Sequence, residues 1–254
     1  MKNLWLALGR NFIISIILFG ALLGLLWLIE WFGTNYQLPL TNLLQWSDPA
    51  WVVGIPASII GVAYILTIKD PQNYTGFYAG ILMSVLLGVQ FILMEGYDSA
   101  ILFFCVFIPF QIKSIVNWSK PAQKDAEPFS PEFLTTKAML LSLLVFLALT
   151  VADYFYITWW LKDGLTGNIV AKLLSGFLIA SSVLANFWLI YRKTDSWIYW
   201  FIYSLAGIGL FIIFKNPFSI VLFCFFLVIN GMAGLAWIKD TKPENMGWLR
   251  RSRN

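Results

Sequence analysis

Trp197 and Trp200 stand three residues apart, directly after the basic turn Arg192-Lys193-Thr194-Asp195, and Ser204 follows four residues later. Side chains at spacings of three and four share one helix face, so this face presents two indoles and a hydroxyl. Indole faces attract cations by about 1 to 2 kcal/mol where water is excluded, and a flat, electron-poor ring suits such a grip. Tryptophan at a helix end is also a common membrane-interface anchor, which accounts for Trp197 almost equally well. Gln111, Asn186 and Asn230 lie inside apolar runs, with Gln90 and Ser99 nearer the ends of theirs. An amide in hydrocarbon without a partner costs several kcal/mol, so the buried three face the bundle interior, holding either a ligand or a neighbouring helix. The intramembrane acids are Asp153 and Glu30. Such acids suggest proton coupling or attraction of a cation, against structural pairing for Asp153 and simple helix-end placement for Glu30. The chain has no histidine, which removes His-based metal ligation and Ser-His or Cys-His catalysis.

The elements that must position these residues are membrane helices. Of 254 residues 59% are hydrophobic and only 12% charged, beyond the range of an ordinary soluble domain. The apolar runs lack the alternation of barrel strands, so the fold class is all-α membrane protein. Eight spans are predicted, at about 11–32, 51–68, 75–94, 99–117, 137–160, 168–190, 197–214 and 218–237. The first is read as a retained helix, because its apolar stretch is long and no small-residue cleavage pattern follows it. With this count 14 of the 17 Lys and Arg residues fall on one side, leaving Lys162, Lys172 and Lys215 on the other. That asymmetry places both termini in the cytoplasm, and the basic tail 239–254 is then topology, with no nucleic-acid partner required. Pro56 and Pro109 interrupt the second and fourth spans, as hinges or as inert kinks. Cys105 and Cys224 both fall in apolar runs and do not report on redox compartment.

An internal repeat organises the spans. Ile101-Leu102-Phe103-Phe104-Cys105 recurs as Ile220-Val221-Leu222-Phe223-Cys224, pairing Gln111 with Asn230 and Trp118 with Trp237. Upstream, a four-residue gap aligns Asn73-Tyr74 with Ser196-Trp197 and Phe77 with Trp200. The expected organisation is an accessory N-terminal helix (1–34), a three-helix repeat (51–118), a linker helix (134–161), a second repeat (167–238) and the tail. One intervening helix makes the repeats parallel, an arrangement in which transporters bind substrate between repeats near the midplane.

Over spans two to eight, about 190 residues, the chain resembles the PnuC vitamin B3 transporters, which share the 3+1+3 fold of the SWEET proteins. The residues that carry the resemblance are Asn73-Tyr74, Gln90, the Tyr97-Asp98-Ser99 turn, Trp197-Ile198-Tyr199-Trp200 and Asn230-Gly231. It implies uptake of nicotinamide riboside across the bacterial inner membrane by facilitated diffusion, a homotrimer, trapping by a cytoplasmic riboside kinase, and no cofactor. Together with the residue chemistry above, substrate contacts are expected at Trp200, Trp197, Ser204, Gln111, Asn230, Asn186, Gln90, Ser99 and Tyr74. Ser204 and Gln111 stand where family members often carry Asn, which leaves thiamine, riboflavin or a small sugar as alternative substrates. A substrate-binding membrane subunit of an ATP-driven complex is a further alternative. The chain itself has no phosphate-binding loop of the Gly-x4-Gly-Lys-Ser/Thr type, and an enzyme is disfavoured.

Overall fold

The structure, a computed structural model, describes residues 2–32, 49–93, 97–119, 131–159, 168–214 and 217–248. Eight helices account for nearly all of them. They are α1 (Lys2–Phe32), α2 (Pro49–Ile68), α3 (Gly76–Leu93), α4 (Tyr97–Trp118, in three contiguous pieces), α5 (Thr136–Trp159), α6 (Ile169–Ile190), α7 (Ser196–Ile213) and α8 (Pro217–Asp240). Seven are long and apolar enough to cross a membrane, and Val52–Ile68 of α2 is a shorter apolar helix. Among the described residues the extended pairing is a single bridge, Glu132 with Lys193. The helix bounds lie within a few residues of expectation, except that α1 starts at Lys2. Arg10 is exposed on α1, and a long cationic side chain reaches the interface from inside a helix. Lys120, Lys124, Lys162, Lys215 and the tail's last arginines lie outside the described residues, as do the Glu30 and Asp98 side chains.

The chain divides into two compact units, residues 1–120 and 121–254. In the first, each helix packs on the next in sequence, α1 on α2, α2 on α3 and α3 on α4. Asn11 of α1 donates to Thr67 Oγ1 of α2 (3.0 Å), and Thr67 passes the bond to the Ala63 carbonyl (2.7 Å). A buried amide and hydroxyl thereby satisfy one another in a layer that would otherwise leave both unpaired. The helix α4 changes pitch along its length, with α-helical Tyr97–Ile101, π-helical Leu102–Phe107 and α-helical Ile108–Trp118. Pro109 explains the break, since it has no N–H and its ring crowds the carbonyl four residues back, so the preceding turn widens. The equivalent helix α8 has Val228 at that position and stays α-helical.

In the second unit α5 packs on α6, α6 on α7 and α7 on α8. The helix α6 buries a run of small residues including Gly176, Ala180, Ser181, Ser182 and Ala185, which lets its neighbours approach closely. Gly176 lies directly against the Thr150 backbone of α5. Ser142 of α5 accepts from Trp188 Nε1 of α6 (2.8 Å) and from the Tyr199 hydroxyl of α7 (2.6 Å). The opposite face of α5, with Leu140, Leu144, Leu147 and Val151, is exposed and reads as lipid-facing. Helix α6 ends in a Schellman cap, Arg192 N to Leu189 O and Lys193 N to Trp188 O, with Arg192 in the left-handed region at φ 53.

Candidate functional site

Each unit carries one aromatic and amide cluster, built from the same pair of helices. In the second unit Trp197 rests edge-on against Trp237 of α8, with centroids 5.6 Å apart and planes at 74°. One turn deeper, Asn230 Nδ2 donates to the Trp200 carbonyl (3.2 Å) and to Ser204 Oγ (3.0 Å), while Ser204 donates to the same carbonyl (3.0 Å). Tyr203 stands perpendicular to Trp200 at 5.5 Å and leads to Phe223, whose ring fits against Gly207. Trp197, Trp200, Ser204 and Asn230 are all buried. The triangle occupies the donor end of the Asn230 amide and the whole Ser204 hydroxyl. It leaves Asn230 Oδ1 and the indole N–H groups of Trp197 and Trp200 buried without a protein partner. Buried acceptors and donors in that condition cost roughly 1 to 3 kcal/mol each, so a polar ligand reaching this cluster would find one acceptor and two donors to satisfy. An apolar groove of about 360 Å³ runs beside the cluster, lined among others by Phe133, Thr194, Trp197, Phe201, Asn230 and Gly234.

The first unit repeats this plan with different side chains. Phe77 rests edge-on against Trp118 at 4.8 Å and 87°, Gln111 of α4 lies over Gly80 of α3, and Phe104 fits against Gly88. Ser84 is the buried counterpart of Ser204. These contacts correct the repeat alignment, pairing Phe77 with Trp197 and setting Gly80 opposite Trp200, so a one-residue gap replaces the four-residue gap inferred upstream. One unit therefore holds Trp with the shorter amide Asn230, and the other holds Gly with the longer amide Gln111, which faces the Tyr64 hydroxyl.

The remaining predicted residues are distributed differently. Asn186 is buried in α6 and donates to the Ser182 carbonyl (2.9 Å), one turn back in its own helix. Tyr74 sits half-buried in the α2–α3 turn, while Gln90, also half-buried, lies near the far end of α3 against Gly54. Sixteen residues of helix is about 24 Å, so Tyr74 and Gln90 do not meet one small ligand. Ser99 is half-buried at the start of α4, beyond the α3 end that carries Gln90. The interface-anchor reading of Trp197 does not hold, because the ring is enclosed by Trp237 and Gly234 instead of facing lipid. Asp153 is buried in α5, and Lys172, expected on the outer surface, is buried too, donating to Thr158 Oγ1 (3.3 Å). Sequence reasoning missed Gly80, Ser84, Tyr64 and Tyr203. The equal spacing of Phe77-Gly80-Ser84 and Trp197-Trp200-Ser204 is the signal that would have found the first two.

Among the described residues the architecture is helical and of membrane-spanning length, with a helix pair in each unit that holds a buried amide under aromatic rings, which defines a polytopic membrane protein. It belongs to the nicotinamide mononucleotide transporter family, whose model matches residues 51–239. Among solved structures the crystal structure of the Vitamin B3 transporter PnuC is similar, with a TM-score of 0.57 at 17% identity, covering 89% of this chain and 91% of that one. A search of curated protein sequences returns no match.

Proposed function

We propose that this transporter takes up nicotinamide riboside, gripping the cationic pyridinium ring on Trp200 and reading its polar groups with Asn230 Oδ1 and the Trp200 N–H. The pairing of an unpartnered acceptor with an unpartnered donor on facing helices is the observation that carries the reading. Trp197 belongs to the same face, and Gln111, Asn186, Gln90, Ser99 and Tyr74 are assigned as further contacts along the route. The family's name points to the mononucleotide, whose phosphate is anionic. Trp200, Ser204 and Asn230 are held by neutral partners, and burying an unpaired phosphate among them would cost many kcal/mol, so the dephosphorylated riboside fits better. Transport proceeds by alternating access of the repeats 51–118 and 167–238, joined by the linker helix 134–161. The working form is a homotrimer in the bacterial inner membrane with cytoplasmic termini, and a cytoplasmic riboside kinase traps the product.

The test is uptake into liposomes containing the purified protein alone. Nicotinamide riboside should enter down its gradient without ATP or an imposed ion gradient, while the mononucleotide, thiamine and riboflavin should not compete. Trp200→Ala should raise the riboside KM about 10- to 30-fold, the loss expected for removing one desolvated cation–π contact. An unchanged KM in that variant, or an absolute need for ATP, overturns the proposal.

A further inference from the structure

Asp195 is fully buried immediately before α7, yet its carboxylate does not cap that helix. It accepts instead from two other segments, the Leu134 N–H just ahead of α5 (2.6 Å) and the Trp248 indole near the C-terminus (2.6 Å). Its own carbonyl accepts the Ile198 N–H of the first turn of α7 (3.0 Å). One residue thus joins three pieces of chain remote in sequence, and it stands two residues before Trp197 and five before Trp200.

The C-terminal piece is itself shaped for this contact. After α8, Thr241 shares a hydroxyl bond with Thr194 (3.2 Å), and a 3-10 turn at Pro243–Asn245 brings Asn245 O to Phe133 N (2.9 Å). Gly247 then adopts φ +51 with its α-carbon pressed against the Leu134 and Phe133 carbonyls, a place no side chain can enter. Trp248 adds two further contacts, its backbone N–H donating to Leu134 O (3.0 Å) and its ring lying against Phe133. Phe133 in turn lines the groove shared with Trp197 and Asn230. Residues 241–248 lie beyond the span that the family model matches.

We propose that Asp195 is a positioning residue for the binding face of α7, and that residues 241–248 form the strap that holds it in register. Hydrogen bonds to a charged acceptor are worth about 1.5 to 3 kcal/mol, enough to decide where the first turn of α7 sits. The strap acts on affinity at a distance, because Trp200 follows Asp195 along one rigid helix. This rests on the reading of α7 as the substrate-binding face.

The experiment compares the full-length protein with Gly247→Val, which expels the strap sterically, and Trp248→Phe, which keeps a ring and removes only the indole donor. Hydrogen–deuterium exchange is read over residues 194–200, and nicotinamide riboside uptake is read as KM and Vmax separately. Both variants should speed exchange over 194–200 and raise KM at least 5-fold with Vmax within 2-fold. A merely structural role would lower Vmax with the folded fraction and leave KM alone. Faster exchange confined to 243–248 with unchanged KM overturns the proposal. If the unmodified protein does not move nicotinamide riboside, the substrate assignment fails, and the exchange over 194–200 alone then decides whether the strap positions α7.

Discussion

The two ends of the Asn230 amide have different employment. Its NH2 group holds α7 to α8 through the Trp200 carbonyl and Ser204, while its oxygen is buried with no protein partner. Reading the sequence alone, a buried amide is either a helix tie or a ligand contact; the structure shows the tie, and the ligand contact is the proposal made for its oxygen. Ser204, by contrast, spends its hydroxyl inside the triangle, where it orients Asn230. Asp195 carries the residue-scale prediction. Burial pushes its carboxyl above the ordinary carboxylate range, opposed by the Leu134 and Trp248 N–H groups and by nearby Lys193. A carboxyl raised in the folded state contributes stability below its ordinary range and loses it as pH climbs through the raised one. Relative to Asp195→Asn, the unmodified protein should therefore gain melting temperature as pH falls from 7 towards 4. A difference that shrinks on acidification would contradict the placement of this carboxyl.

At the scale of elements, the helices were legible because their apolar runs have the length of a bilayer and few other structures tolerate such composition. The register between repeats was not, since one apolar helix resembles another along most of its length. Only the facing residues on the partner helix settle it, Trp118 under Phe77 and Trp237 under Trp197. The π-helical piece of α4 was equally hidden, because Pro109 announces a disturbance but not whether the helix bends, breaks or widens. Equivalence of Gly80 with Trp200 has a measurable consequence. A methyl at Gly80 would stand 2.7 Å from Gln111 Oε1, so Gly80→Ala should lower the melting temperature in detergent by an amount corresponding to about 1 to 3 kcal/mol. Shortening the amide in the double variant Gly80→Ala/Gln111→Asn should recover at least half of that loss, and purely additive losses would refute the pairing.

For the whole molecule, the matched family span covers α2 to α8, and two described segments lie outside it: α1, tied by Asn11 to Thr67, and residues 241–248, tied to Asp195. Each segment docks within its own unit, one at the face of α2 and the other at the start of α7. Neither docking was readable in the sequence, since it depends on single polar contacts between residues more than fifty positions apart. The proposed homotrimer gives the prediction at this scale. In mild detergent the protein component should have a mass three times 29.0 kDa by light scattering, and a monomeric mass with full uptake activity would remove the trimer from the mechanism.

The fit of Gly247 and Trp248 has a practical side for anyone measuring this transporter. A purification tag or fluorescent reporter fused after Asn254 would begin a few residues past Trp248, whose indole is proposed to steady α7 through Asp195. Bulk or tension there would be felt as weakened substrate affinity and misread as a property of the transporter. Labels are better carried at the N-terminus, and assays comparing the two placements would reveal how much of an apparent KM belongs to the label.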